Sequence, residues 1–134
     1  MIIVLDTDVS SLIIKHQIPP TFRARLAGAL ICVTFVTVGE LRHWVELHGA
    51  GWSQRRHDEL ASWMNDVVTL PSTREVCHVW GALSAAATMR GRRRPQNDSW
   101  IAASCLARGL PLATRNVRDY EDYEKHHGLK LITG

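Results

Sequence analysis

The chain opens with Met1-Ile2-Ile3-Val4-Leu5, an unbroken apolar run that stops at Asp6-Thr7-Asp8. This stretch constrains the fold more than any other. A strand with one wet face alternates apolar and polar residues, whereas a run without alternation is buried on both faces. Such a strand belongs at the centre of a parallel sheet with helices above and below. Open α/β sheets bind ligands at the carboxyl ends of their strands, so the run delivers Asp6 and Asp8 to a place suited to chemistry. The competing structural roles are Asp8 as the cap of the next helix and Asp6 as a turn residue.

The rest of the chain alternates helical and strand-like segments. Val9 to Ile14 makes a short helix, and Thr21 to Leu26 a second one after Pro19-Pro20. Ala29 to Val36 holds a buried strand centred on Ile31 to Thr34. Thr37-Val38-Gly39-Glu40 opens a helix with Leu41, Trp44, Val45 and His48 on one face, ended by Gly49-Ala50-Gly51. Ser53 begins another, with Leu60, Trp63, Met64 and Val67 inward. Val67 to Leu70 is a third strand. Ser72 or Thr73 caps a helix whose apolar positions run from Val76 to Ala87, stopped by Gly91. Arg92-Arg93-Arg94-Pro95-Gln96 is a loop, and Asn97 or Asp98 caps a helix from Asp98 to Arg108. Leu110 to Thr114 and Leu129 to Thr133 complete the strands. The pattern predicts an α/β fold with a central, largely parallel sheet of about five strands, in a single domain over residues 1–134.

Composition excludes several classes. The apolar fraction is 46%, which a disordered chain does not reach. No stretch approaches the roughly 18 to 20 apolar residues of a membrane span. The opening run has no basic lead-in or cleavage site and so is not a signal peptide. Cys32, Cys77 and Cys105 are widely spaced in apolar settings, as buried thiols of a reducing compartment would be, which places the protein in the cytoplasm. The net charge is +3, carried mostly by arginine, the residue suited to phosphate and stacked bases. An arginine-rich genome gives the same balance.

Four carboxylates fall beside strand ends. Asp6 follows the first strand, Glu40 the second and Asp119 the fourth, while Asp98 starts the helix leading into the fourth and joins the others only if the fold turns that helix start toward the same edge. Each has a structural alternative. Glu40 completes a Thr37-x-x-Glu40 capping box, Asp98 complements a helix dipole, and Asp119 shares an acidic turn with Glu121, Asp122 and Glu124. Together at one sheet edge they would repel and raise one another's pKa. A divalent cation relieves that conflict, and oxygen ligands without Cys or His suit Mg²⁺ or Mn²⁺.

Four segments carry a family resemblance: Ile3-Val4-Leu5-Asp6-Thr7-Asp8-Val9, Thr37-Val38-Gly39-Glu40-Leu41, Asn97-Asp98-Ser99-Trp100-Ile101-Ala102-Ala103, and Leu112-Ala113-Thr114-Arg115-Asn116-Val117-Arg118-Asp119-Tyr120. In order and spacing the chain resembles a PIN-domain nuclease, and among these the VapC-type toxin ribonucleases of bacterial toxin–antitoxin pairs. The resemblance implies a three-layer α/β/α sandwich and an acidic pocket for Mg²⁺ or Mn²⁺. Asp6, Glu40 and Asp98 map onto the family's acids, with Asp6 and Asp98 holding the metal. Asp8 stands where the family usually has Asn. The fourth acid of some members falls at Asn116, and that of others at Asp119. Thr114 corresponds to a hydroxyl near the site.

The implied chemistry is hydrolysis of RNA by an activated water, leaving a 5′-phosphate and a 3′-hydroxyl. Arg92, Arg93, Arg94 and Arg115 are candidates to hold the RNA backbone, with Arg90 and Arg118 beside them; a solvated loop is the alternative for Arg92 to Arg94. The implied partners are an RNA substrate such as transfer RNA, a cognate antitoxin and a second copy of the chain. Two other functions fit parts of the sequence. Asp6-Thr7-Asp8-Val9 also resembles the opening motif of haloacid-dehalogenase-type phosphatases, with Asp6 as nucleophile, but no lysine precedes the last acids where that chemistry needs one. A non-catalytic module binding RNA or protein through its arginines would tolerate loss of Asp98.

Overall fold

The computed structural model describes residues 1–48 and 53–134. The helix end expected at Gly49-Ala50-Gly51 lies outside the described residues, as do Trp52 and the His48 side chain. Five parallel strands, β1 (Ile2–Leu5), β2 (Leu30–Thr34), β3 (Val68–Leu70), β4 (Leu112–Ala113) and β5 (Leu131–Ile132), form one sheet in the order β3-β2-β1-β4-β5. The apolar opening run is its central strand, pairing with β2 on one side and β4 on the other.

Alternate residues of each strand feed opposite faces. Val4, Cys32 and Leu112 enter one apolar cluster with Val76, Leu83, Ile101 and Tyr123. Ile3, Leu5, Val33 and Ala113 enter another with Val9, Phe22 and Leu26. The first cluster is roofed by α5 (Arg74–Met89), α6 (Gln96–Arg108) and α7 (Val117–His127), the second by α1 (Thr7–Ile14) and α2 (Pro20–Leu26). Burial on both faces is why β1 needs no polar alternation. Ile14, Leu41 and Leu60 form a third cluster, which ties α1 to α3 (Phe35–His48) and α4 (Gln54–Asp66). Among the described residues no helix is long and apolar enough to cross a membrane.

The strand order creates the site. From β1 the chain moves to β2 and β3 on one side, then returns through α5 and α6 to β4 on the other. The connections after β1 and β4 therefore lead to opposite sides, leaving a crevice at the carboxyl ends of these two neighbours. Asp6 ends one of them and Thr114 the other.

Three expectations need correction. The acidic stretch after Asn116 is a helix, α7, and not a solvated turn: Tyr120, Asp122 and Tyr123 are buried on one side of it. Cys32 and Cys105 are buried, but Cys77 is exposed on α5. The capping assignments also shift. Thr34 Oγ1 accepts the Thr37 amide at 3.4 Å, so α3 begins at Phe35 and Glu40 lies in its second turn, outside any capping box with Thr37. Helix α6 begins at Gln96 after Pro95 and has no side-chain cap, so neither Asn97 nor Asp98 plays that part.

Candidate active site

Asp6 is held from two sides. Its backbone is extended, and it caps α1 by accepting the Val9 amide on Oδ1 at 2.8 Å. Oδ2 accepts the Thr114 hydroxyl at 2.5 Å, from the end of the neighbouring strand. Thr114 Oγ1 in turn accepts the Asn116 amide at 2.9 Å. Capping thus falls to Asp6 and not to Asp8, because the helix starts at Thr7. Asp8 is exposed in the first turn and accepts a hydrogen bond from Asn116 Nδ2.

Glu40 reaches the same crevice through two threonines. Thr7 gives its one hydroxyl proton to Glu40 Oε1 at 2.7 Å. The 3.0 Å contact between Thr7 and Thr37 must then be donated by Thr37. Thr7 went unremarked in the sequence because it sits between two more conspicuous acids. Its position inside Asp6-Thr7-Asp8 was the available signal.

Asp98 occupies the first turn of α6, where the helix dipole favours a carboxylate. The Ser99 hydroxyl turns back to the Pro95 carbonyl at 3.0 Å. Asp98 Oδ1 accepts the Tyr120 hydroxyl at 3.3 Å, and Asp119 precedes that tyrosine in the first turn of α7. Tyr120 is a second functional side chain that sequence reasoning missed. Its spacing from Tyr123, with Gly128 closing the helix, could have revealed α7.

These acids act on one another. Burial is the main force lifting Asp6 to about 6, with Asp8 and Asp98 adding to it and the Thr114 and Val9 hydrogen bonds opposing it. Asp98 is also lifted to about 6, first by burial and then by Asp119 and Glu40, against the opposing pull of Tyr120 and Arg94. Burial and the nearby Asp98 push the Tyr120 phenol well up, so it stays protonated and donates. Asp6, Glu40, Asp98 and Asp119 therefore share one electrostatic neighbourhood. Among the described residues no three Asp, Glu, His or Cys side chains stand as a ready-made metal cage. A cage is not what Mg²⁺ needs: it commonly takes one or two carboxylates and completes its shell with water and substrate phosphate. Asp6 and Asp98, the two acids most opposed to carrying unshared charge, fit that donor set.

The arginines divide into two groups. Arg92 Nε lies 3.4 Å and Arg94 Nη1 4.0 Å from Asp122 Oδ2. Arg94 Nη2 also donates to the Arg118 carbonyl at 3.0 Å, fastening the loop before α6 to α7. Arg93, Arg115 and Arg118 are exposed and have no ion pair among the described residues.

The PIN domain matches residues 3–126, nearly the whole chain. Over 88 residues the chain is 34% identical to Ribonuclease VapC5 of Mycobacterium tuberculosis, a match spanning 64% of each protein. The crystal structure of VapBC-5 from Mycobacterium tuberculosis, described as a member of the VapBC family of toxin-antitoxin systems, superposes with a TM-score of 0.75 at 29% identity, covering 99% of this chain and 98% of that one. VapBC2 from Rickettsia felis, bound to a promoter DNA fragment, shares the fold with a TM-score of 0.83 at 19% identity, covering 100% of this chain and 99% of that one. Matched along most of its length, with its acids gathered at the switch point of a parallel sheet, the chain belongs to the PIN-domain family.

Proposed function

We propose that the chain is a metal-dependent endoribonuclease, the toxin of a type II toxin–antitoxin pair, acting as one nuclease domain over residues 1–134. The observation that carries this is the gathering of Asp6, Glu40, Asp98 and Asp119 in one crevice, with two of them lifted to about 6. Similarity to Ribonuclease VapC5 supports the activity, and similarity to VapBC-5 supports an antitoxin partner. Family membership displaces the phosphatase alternative.

Asp6 and Asp98 would hold Mg²⁺ or Mn²⁺. Bound there, the ion supplies a Lewis acid for the scissile phosphate and lowers the pKa of a water. Thr114 and the Val9 amide keep Asp6 in place, and Tyr120 orients Asp98, the outer partners that fix metal-ligating carboxylates. Glu40, steadied by Thr7, and Asp119 orient the attacking water for in-line displacement, leaving a 5′-phosphate and a 3′-hydroxyl. Asn116 steadies Asp8 and the loop bearing Thr114. Arg93 and Arg115 hold the RNA backbone, joined by the exposed part of Arg92, whereas Arg94 chiefly braces α7. The protein works in the cytoplasm as a homodimer, on structured RNA such as transfer RNA, until its antitoxin covers the crevice.

The test is incubation of the purified chain with total RNA from its host, with Mg²⁺, Mn²⁺ or EDTA, beside Asp98→Asn. Metal-dependent cleavage that disappears in Asp98→Asn is the expected result. A folded protein that cuts nothing under either metal, and binds RNA equally well as Asp98→Asn, would favour the non-catalytic module.

A further inference from the structure

Beside the acids lies a second feature that the cleavage chemistry leaves unused. A cleft of about 450 Å³ is lined by Asp8, Ser11, Lys15, Trp44, Arg115 and Asn116, with Leu12. It falls within the roughly 300–1,000 Å³ range of small-ligand sites. It adjoins the crevice: Asp8 is two residues from Asp6, and Asn116 hydrogen-bonds both Asp8 and the Thr114 that holds Asp6. Its chemistry is mixed in an ordered way. Trp44 is half-buried, packed on the Ile14, Leu41 and Leu60 cluster while also lining the cleft. Lys15 and Arg115 have no ion pair among the described residues. Asn116 spends its side-chain amide on Asp8, and its side-chain Oδ1 has no donor among the described hydrogen bonds.

We propose that this cleft is a nucleotide subsite: it takes one unstacked nucleotide of single-stranded RNA, with the base against Trp44 and the flanking phosphates at Lys15 and Arg115. The inference rests on the ribonuclease reading and extends it to how the substrate is gripped. An aromatic face with cations beside it is the arrangement that holds single strands, because every base has a π-face and every link a negative charge. The Asn116 side-chain Oδ1 and the Ser11 hydroxyl offer hydrogen-bond partners to a base edge or a ribose 2′-hydroxyl. The subsite also answers an electrostatic difficulty. The acids repel a phosphate chain, so its grip has to come from a neighbouring surface that carries positive charge and stacking.

The test reads binding apart from cutting. Asp98→Asn protein in EDTA cuts nothing, whether or not the nuclease reading holds. Fluorescence anisotropy then compares a labelled single-stranded RNA pentanucleotide with a ribose–phosphate chain of the same length lacking bases. The bases are expected to strengthen binding about tenfold. Adding Trp44→Leu should remove that advantage, and Trp44→Phe should restore most of it. Lys15→Gln and Arg115→Gln, which leave the apolar core untouched, should weaken both chains and flatten the salt dependence, by about 0.7 in log–log slope for each phosphate no longer neutralised. Equal binding of the two chains overturns the subsite, as does a folded Trp44→Leu protein that still prefers bases. If these variants lose affinity for the cognate antitoxin alone, the cleft belongs to a protein side chain and the inference fails.

Discussion

Two sets of carboxylates withdrawn from water, Asp122 in one and Asp6 with the half-buried Asp98 in the other, are treated in opposite ways in this molecule. Asp122 is 6% exposed and faces the guanidinium groups of Arg92 and Arg94. Asp6 is 3% exposed, yet it and Asp98 face hydroxyls and one another's charge, with Arg94 only a lesser influence on Asp98. A buried charge is tolerated when it is paired. The first set is paired from within the chain and stitches α7 to the preceding loop. The second has little compensating charge within the chain, which is what the proposed divalent cation would supply. An acid supplied with arginines is structural, whereas acids supplied mostly with each other are poised to act.

The largest expected effect comes from removing a poised acid. Asp98→Asn should lower metal-dependent RNA cleavage by more than about a hundredfold, exceeding the roughly 10–100-fold typical of removing an outer partner of a metal ligand. Single-turnover cleavage rates at saturating metal measure it. Loss of a paired acid should do the reverse. Asp122→Asn removes the carboxylate facing Arg94, which is 15% exposed and keeps its bond to the Arg118 carbonyl, and should destabilise the fold by about 1 kcal/mol, below the cost of breaking a tight buried pair because Arg92 is largely exposed and Arg94 lies 4.0 Å away. Urea unfolding reads that loss, and at temperatures where the variant stays folded its metal requirement should be unchanged.

Smaller effects sharpen the contrast. Tyr120→Phe and Thr114→Val each remove one hydroxyl from a poised acid while keeping the ring or the branched shape. Each should weaken apparent metal affinity by about 10–100-fold, seen as a shift in the metal concentration giving half-maximal cleavage.

A further effect, read as a slope, is on pH dependence. Asp6 and Asp98 sit at about 6 when folded, above the 3.8 of a free carboxyl, so between these values the folded state binds more protons than the unfolded one. Their contribution therefore makes the metal-free protein less stable as pH rises from about 4 to about 6, at up to about 1.4 kcal/mol per unit for each fully responding group. Thermal midpoints in EDTA should show a shallower fall for Asp98→Asn than for the wild type.

Much of this was legible in the sequence, for physical reasons. The central strand announced itself because two-sided burial forbids polar alternation, and Asp6, Glu40 and Asp119 lay beside recognisable strand ends, whereas Asp98 opens α6 and spacing alone does not show that this helix start turns toward them. The details that stayed hidden are those where one residue type serves two ends. Asp6 and Asp8 are equally good caps on paper, and only the start of α1 at Thr7 decides between them. Thr34 and Thr37 compete in the same way at α3. Helix α7 hid because its inward face carries Asp122, whose burial depends on arginines 28 and 30 residues earlier in the chain. No local period contains that information. Tyr120 was hidden with the helix that presents it.

The central claim is that the Asp6–Asp98 crevice has too little positive charge of its own, Arg94 being only a lesser influence on Asp98, and that a divalent cation would supply the rest. The most direct measurement is the thermal midpoint of the wild type and of Asp98→Asn at pH 7, in EDTA and across a Mn²⁺ titration. The account predicts that Asp98→Asn is the more stable protein in EDTA, that Mn²⁺ raises the wild-type midpoint in a saturable way, and that the variant barely responds. A wild type that is more stable than Asp98→Asn without metal, and indifferent to Mn²⁺, would contradict it.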